Sequence, residues 1–387
     1  MEPLAQDHVV VAQSPDGERH FAGSPGITQL PGGEMLASYE WFQPQPITET
    51  LANQTEVRVS GDGGKTWELR GNTDIIWPSC FVHGDAVYMI GNRRQTREVV
   101  ISRSQDGGHT WSPEVEICGR GSHGAPTTVT FQDGYVYRAF ETSPDFGRSG
   151  ESRSSWESFV MAGRLANDLL DPGAWRASPQ ERFPGAPHPM NTFSYPPEIA
   201  TEDCWIEGNL ISVRGNLRNV LRVHMLGRAT VGIAAICDLE DDGETMNYGF
   251  SQYCPMPGGQ CKFHIVYDEP SDLFWTCVNP VSDTYTPVDD QLRKVGFQGI
   301  TGNERRILML IYSVDAQNWF QAGCVAMTRK MTESFSYASN LIDGDDLVVL
   351  SRTSLGGVNQ HDTNLVTCHR VRDFRSLALD LSRDFSR

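Results

Sequence analysis

Two eight-residue stretches of the chain are close copies of one another. Ser60-Gly61-Asp62-Gly63-Gly64-Lys65-Thr66-Trp67 recurs as Ser104-Gln105-Asp106-Gly107-Gly108-His109-Thr110-Trp111. Each follows a strand-like run, Glu56-Val57-Arg58-Val59 and Val99-Val100-Ile101-Ser102. A shortened copy, Ser313-Val314-Asp315-Ala316-Gln317-Asn318-Trp319, follows Ile307–Tyr312. The residues are those of a hairpin turn. The aspartate accepts backbone N–H groups, the glycines supply positive φ, and the tryptophan packs the turn onto its own sheet. A chain that repeats this turn repeats the antiparallel sheet that carries it.

The rest of the sequence agrees. Its 37 glycines and 22 prolines are spread evenly, and they punctuate short segments rich in Val, Ile, Tyr, Phe and Trp. Helical periodicity is almost absent, so the fold class is all-β. Only Ser143–Ser155, Pro179–Pro197 and Val278–Asn303 read as long connections. The repeated turn resembles the Asp box of the sialidase-like β-propellers, which implies one propeller of four-stranded antiparallel blades spanning residues 1–387. With the box placed between the third and fourth strands of a blade, innermost strands begin near His20, Asp74, His123, Trp205, Lys262 and Ser336. Second strands are Glu34–Tyr39, Ala86–Ile90, Tyr135–Glu141, Val220–His224, Leu273–Val278 and Leu347–Arg352. This phasing gives six blades, closed by Val9-Val10-Val11 pairing into the last one, because closure removes exposed sheet edges. Turns between first and second strands are tight, and connections from second to third strands are mostly long. The long loops share one face, and that face is the functional one.

Residues that begin innermost strands or end second strands line its mouth. They are His20, His123, Glu207, Lys262, His264 and Tyr337, then Glu40, Arg93, Glu141, Arg222, His224 and Arg352, with His361-Asp362 in a long loop above. A mouth so rich in His, Tyr, Arg and Glu suits acid–base chemistry on an anionic sugar. The plain alternative is that some are ordinary strand residues with solvated or paired side chains.

Several motifs narrow the resemblance. Ser122-His123-Gly124-Ala125-Pro126, Tyr137–Glu141, Trp205-Ile206-Glu207-Gly208-Asn209, Lys262–Asp268 and Ser351-Arg352-Thr353 look like the group that holds ulvan lyases, rhamnosyl-glucuronate lyases and α-L-rhamnosidases. That resemblance implies seven blades where the phasing gives six. The chain also resembles the wider sialidases: Glu207 and Tyr337 fall where those enzymes keep a Glu–Tyr nucleophile pair, and Arg222 falls on one arginine of their carboxylate-binding triad. The sialidase Phe/Tyr-Arg-Ile-Pro signature is replaced by Ala22-Gly23-Ser24-Pro25-Gly26-Ile27, so the first arginine of the triad is missing. A sialic-acid carboxylate then loses a bidentate partner.

The expected activity is β-elimination next to a uronic acid, as in a rhamnosyl-glucuronate or ulvan-type glycan. On this reading Arg222 neutralises the carboxylate, His123 is the base, Tyr337 the acid or alternative base, and Glu207 orients Tyr337 or Arg222. Arg93, Glu141, His224, Lys262, Arg352 and His361 are expected to bind substrate. Some lyases of the group use a second histidine, and its place here holds Thr142-Ser143. Hydrolysis by a carboxylate pair such as Glu207 and Glu40, as in an exo-glycosidase of the rhamnosidase or sialidase kind, is the alternative. A non-catalytic glycan-binding propeller is the third reading.

The arginines Arg93, Arg94, Arg97, Arg148, Arg153, Arg222 and Arg352 fall on the functional face of a protein of net charge −17. That points to an anionic glycan as partner, unless Glu98, Asp145 and Glu151 neutralise them. With 32 Lys+Arg against 49 Asp+Glu, nucleic acid is excluded as a partner, and no apolar run is long enough to span a bilayer. No cofactor is required. Cys254, Cys261 and His264, with Cys368 or His369, are near enough in sequence to hold a structural metal, though the spacing is not that of a zinc finger. Buried reduced thiols are the simpler reading of the 9 cysteines. Together with an N-terminus that lacks signal-peptide character, they point to the cytoplasm, or to the periplasm or the exterior if a signal peptide has been removed.

Overall fold

Each Asp turn forms as its residues dictate. Asp62 Oδ1 accepts the amides of Lys65 and Thr66 at 3.0 and 2.9 Å, and Oδ2 takes the Thr66 hydroxyl at 2.7 Å. Gly63 and Gly64, at φ 75° and 85°, bend the chain so that the Gly64 amide reaches Ser60 Oγ at 2.8 Å. The turn at Asp106 repeats these bonds to Thr110 and Gly108. In the shortened copy Asp315 accepts the amides of Gln317 and Asn318. A fourth turn of the same kind, in which Asp242 caps Glu244 and Thr245, carries no tryptophan and so leaves no repeat in the sequence.

The structure is a computed structural model, which describes residues 2–42, 54–144, 146, 153–185, 203–224, 232–283, 294 and 303–381. These four turns sit on four of six sheets, which are the blades of a propeller. Blade I holds Phe21–Ala22 with Gly26–Gln29, then Met35–Phe42, Thr55–Ser60 and Glu68–Thr73. Blade II holds Ile75–His83, Ala86–Arg93, Val99–Ser104 and Val115–Cys118. Blade III begins on Ser122–His123 and Thr130–Gln132, which both pair with Tyr135–Thr142, and continues through Glu157–Arg164. Blade IV runs Cys204–Val213, Asn216–His224, Ile233–Asp241 and Met246–Pro255, and blade V runs Val266–Asp268, Leu273–Val278, Ile307–Ser313 and Phe320–Met327. Blade VI takes Ser334–Asp343, Asp346–Ser354 and Leu365–Val371 from the end of the chain. Its fourth strand is Val9–Gln13 from the beginning, paired through Val9–Cys368 and Gln13–Leu365. The ring thus closes as the sequence pattern requires, with six blades and not the seven of the lyase group.

Apolar side chains fill each seam between blades. Trp205 packs with Tyr137 between blades III and IV, and Trp275 with Phe335 between V and VI, all at least 98% buried. A fully buried tryptophan removes about 200 Å² from water, on the order of 5 kcal/mol of transfer free energy before entropy is subtracted. The seams hold the blades at fixed angles, and the inner strands therefore present their first residues to one shared mouth.

Candidate active site

Three inner strands break register at corresponding places. Pairing jumps between Ile76 and Ser79 in blade II, between Ile206 and Asn209 in blade IV, and between Ser336 and Ser339 in blade VI. The bulged residue is left-handed in each case: Trp77 at φ 52°, Glu207 at 61° and Tyr337 at 51°. Such a backbone costs a non-glycine residue about 1–3 kcal/mol, and a bulge re-aims a side chain that regular pairing would send elsewhere. Two of the three are residues that the sequence put forward for catalysis.

Tyr337 is the centre of the constellation. Arg305 donates from Nη2 to its hydroxyl at 3.1 Å. The guanidinium carbons of Arg352, Arg305 and Arg222 lie 5.1, 5.3 and 5.7 Å from its ring centroid. Burial alone pushes a phenol up, but Arg305 and Arg222 outweigh it and hold this one below its ordinary value. Glu207, 6% exposed, takes Arg222 Nη1 on one carboxylate oxygen at 2.7 Å. Against the burial that raises it, Arg222, His123 and Lys262 keep the Glu207 carboxyl ionised. Arg222 also donates to the Gln260 carbonyl at 2.7 Å and lies 2.9 Å from His224 Nδ1, so its plane is fixed on every side.

Glu40 lies against the segment where the sialidase arginine is missing. A Cβ placed on Gly23 would meet Glu40 Oε1 at 2.1 Å, so the glycine leaves room for this carboxyl and for nothing else. Glu40 Oε2 is buried without a hydrogen-bond partner. Burial, opposed by Arg352 and Arg94, lifts its pKa to about 7. A carboxylic acid that keeps its proton near neutrality is a proton donor.

His123 belongs to a second line of groups. Its Nδ1 meets Glu141 Oε2 at 3.2 Å, and Glu141 Oε1 accepts the Gly208 amide at 3.1 Å, tying blade III to the Glu207 bulge. The imidazole stands between Trp77 and Trp156, with ring centroids 4.6 and 5.3 Å away. His361, whose Nδ1 lies 2.8 Å from Asp362, faces Tyr337 at 6.4 Å and receives an Arg352 N–H on its carbonyl. Burial and Arg352 lower its pKa to about 4, so it is neutral.

Other side chains expected at the mouth stand elsewhere. Lys262 is fully buried, and its ammonium donates at 3.0 Å to the Ala338 carbonyl, behind the Tyr337 bulge. Arg93 pairs on the rim of blade II with Glu98, Glu114 and Glu116. His20 is buried, its carbonyl accepting the Ser14 hydroxyl. His264 accepts the Asn340 amide on Nδ1 at 3.0 Å and lines a cavity of about 510 Å³ further along the same inner strands, beyond the arginines. Arg148, Asp145, Glu151 and the side chain of Arg153 lie outside the described residues. Cys254, Cys261 and His264 do not come together: among the described residues no three His, Cys, Asp or Glu side chains stand close enough to share a metal ion. All nine cysteines are free. No described helix is long and apolar enough to cross a membrane.

Two residues of this site carry almost no signal in the sequence. Arg305 lies just past the long connection Val278–Asn303 and shows no motif, and Trp77 follows the start of an inner strand near Asp74 with no motif of its own. The only trace of Trp77 was the following Pro78, which interrupts strand pairing.

No protein-family model matches the sequence, and neither does any curated protein sequence. Solved structures do match in fold. A Hadza microbial sialidase superposes with a TM-score of 0.61 at 15% identity, over 94% of this chain and 68% of that one. A Penicillium chrysogenum α-L-arabinanase, solved with arabinobiose, gives 0.53 at 16% identity over 96% and 99%. Trypanosoma rangeli sialidase gives 0.58 at 15% identity, over 97% of this chain and 61% of its own length. This chain therefore has the all-β propeller fold of sialidases and arabinanases and spans about three fifths of the trypanosomal enzyme.

Proposed function

We propose that the protein is a glycoside hydrolase acting on an anionic glycan. The observation that carries this reading is Tyr337: a phenol with a lowered pKa, ringed by Arg222, Arg305 and Arg352, placed by a strained bulge. Hydrolysis needs a nucleophile and a proton donor on the leaving oxygen. Tyr337 attacks the anomeric carbon as its proton passes toward Glu207, and Glu40 protonates the departing oxygen. Water then releases the sugar, with Glu40 acting as base. The arginines that polarise Tyr337 also take the sugar's acidic group. The fold's likeness to sialidases and arabinanases supports a carbohydrate substrate. Glu40 stands over Gly23, beside the position where a sialidase carries its first arginine, so the preferred acid sugar is a uronate in place of a sialic acid.

The His123–Glu141 pair supports a second reading, elimination next to a uronate. Glu141 fixes one ring nitrogen and leaves Nε2 to take the C5 proton, with Arg222 on the carboxylate. One experiment separates the two. Uronate-containing oligosaccharides are incubated with the protein, with Tyr337→Phe and with His123→Ala. Hydrolysis gives reducing sugar without ultraviolet absorbance and stops in Tyr337→Phe. Elimination gives the absorbance of an unsaturated uronate and stops in His123→Ala, which would reverse the order of these readings.

A further inference from the structure

Next to this centre, on the functional-face loop of blade II, stand two arginines for which the described residues supply a single carboxylate. Arg97 lies in that loop with a left-handed backbone at φ 69°. Its amide donates to the Arg93 carbonyl at 3.0 Å, and its own carbonyl accepts from the Ser122 amide and Asn92 Nδ2, so the loop is pinned. Its guanidinium lies 4.6 Å above the Trp77 indole. Among the described residues no carboxylate pairs with it. Its neighbour Arg94 has one carboxylate, Asp74, 3.4 Å from Nε and itself 75% exposed. Arg94 Nη1 and Nη2 are buried with no hydrogen-bond partner. Both guanidinium groups are disfavoured by burial, Arg97 additionally by Arg94; Asp74 and then Glu40 offset this for Arg94, and Glu40 for Arg97.

Buried, unpaired guanidinium nitrogens are expensive in a folded protein, and their usual remedy is a nearby carboxylate. Among the described residues, no carboxylate stands against Arg97 or against the Nη1 and Nη2 of Arg94. The orientation is also that of a binding group. A guanidinium braced on an indole keeps its planar donor edge directed and loses little freedom when an oxyanion arrives. Trp77, the indole under Arg97, also packs against the His123 imidazole with ring centroids 4.6 Å apart, so the pair adjoins the mouth that holds Tyr337. Glu40, the group assigned to the leaving oxygen, interacts electrostatically with both this pair and Arg352.

We propose that Arg94 and Arg97, with Arg97 braced on Trp77, form a second oxyanion subsite that takes a carboxylate or sulfate ester on the sugar adjoining the one held at Tyr337. The placement of that sugar rests on the hydrolase reading; the oxyanion site itself does not. The substrate class is thus a glycan with acidic groups on both sides of the bond that is cut. Its affinity is salt-sensitive, since both contacts are between charges.

The test is calorimetric titration of the intact protein at low ionic strength, with sodium sulfate and separately with sodium glucuronate. Two classes of anion site are expected, and the tighter of the two probes at the blade II site tells sulfate from carboxylate. Arg94→Gln with Arg97→Gln should weaken one class by about tenfold or more and leave the other. Arg97→Lys should lose part of that effect, because the ammonium keeps the charge but not the plane. In the unaltered protein, saturating sulfate should protect Arg94 and Arg97 from phenylglyoxal, read by mass spectrometry, so the result does not depend on the variants folding. Titration curves unchanged in the double variant, or equal modification with and without sulfate, would overturn the subsite. Absence of hydrolysis with both anion sites intact would instead remove the hydrolase reading alone.

Discussion

Glu207→Gln isolates the buried pair on which the Tyr337 constellation stands. The Glu207 and Arg222 side chains are 7% and 3% exposed and 2.7 Å apart. The amide keeps the shape but removes the charge, and Arg222 is left buried with the Gln260 carbonyl and His224 as its remaining partners. Breaking one side of a buried pair costs about 3–5 kcal/mol. At about 2.1 cal/mol/K per residue, 387 residues give an unfolding entropy of roughly 0.8 kcal/mol/K, so the Tm falls by about 4–6 °C. Glu207→Gln combined with Arg222→Met removes both charges, and its loss should be smaller than the sum of the two single losses. The pH dependence has a definite sign. The folded Glu207 carboxyl lies below its ordinary 4.5, so its contribution is complete above pH 4.5 and is lost as pH falls through the folded value. The Tm gap between the protein and Glu207→Gln should therefore be full at pH 7 and shrink below pH 4.5. Scanning calorimetry of the four proteins at pH 7 and pH 4 measures all of this. A shift of less than about 1 °C, or additive losses in the double variant, would refute the claim that the pair is interdependent.

Glu40, raised to about 7, stays protonated in the folded state where the unfolded chain has already ionised at 4.5. Stability should fall as pH rises from 4.5 to 7, a slope that calorimetry should find missing in Glu40→Gln; the hydrolysis rate should decline above about pH 7 as the proton donor is lost. Gly23→Ala drives a methyl into Glu40 Oε1, 2.1 Å from the new carbon, so kcat should drop by about 10²–10⁴-fold, as for losing the acid itself, while circular dichroism stays unchanged. Asp106→Ala removes the acceptor for the Thr110 amide and hydroxyl on the opposite face; the Tm should fall with kcat/KM unchanged at temperatures where the protein stays folded.

The sequence alone determined the propeller. Asp62, Asp106 and Asp315 form their turns with residues two to four positions away, so those bonds are written into any eight-residue window. The position of these turns within a blade then set the phasing, the closing strand at Val9-Val10-Val11, observed as Val9–Gln13, and the places of Glu207, Arg222 and Tyr337 on inner and second strands. Resemblance to a lyase group implied seven blades beside the six of the phasing, and the six sheets follow the phasing. Tertiary structure decided which side chains meet. Lys262 and Tyr337 both begin inner segments, yet one turns behind the sheet to hold the Ala338 carbonyl and the other turns out, because the bulge makes Tyr337 left-handed. Nothing in the sequence marks a tyrosine, glutamate or tryptophan for that backbone; glycine would have announced it. Arg305 comes to Tyr337 from another blade, 32 residues away in sequence, and the proton on Glu40 depends on burial that only the closed ring creates. Turn chemistry is local and therefore legible, whereas convergence and desolvation depend on distances between blades that no stretch of sequence contains.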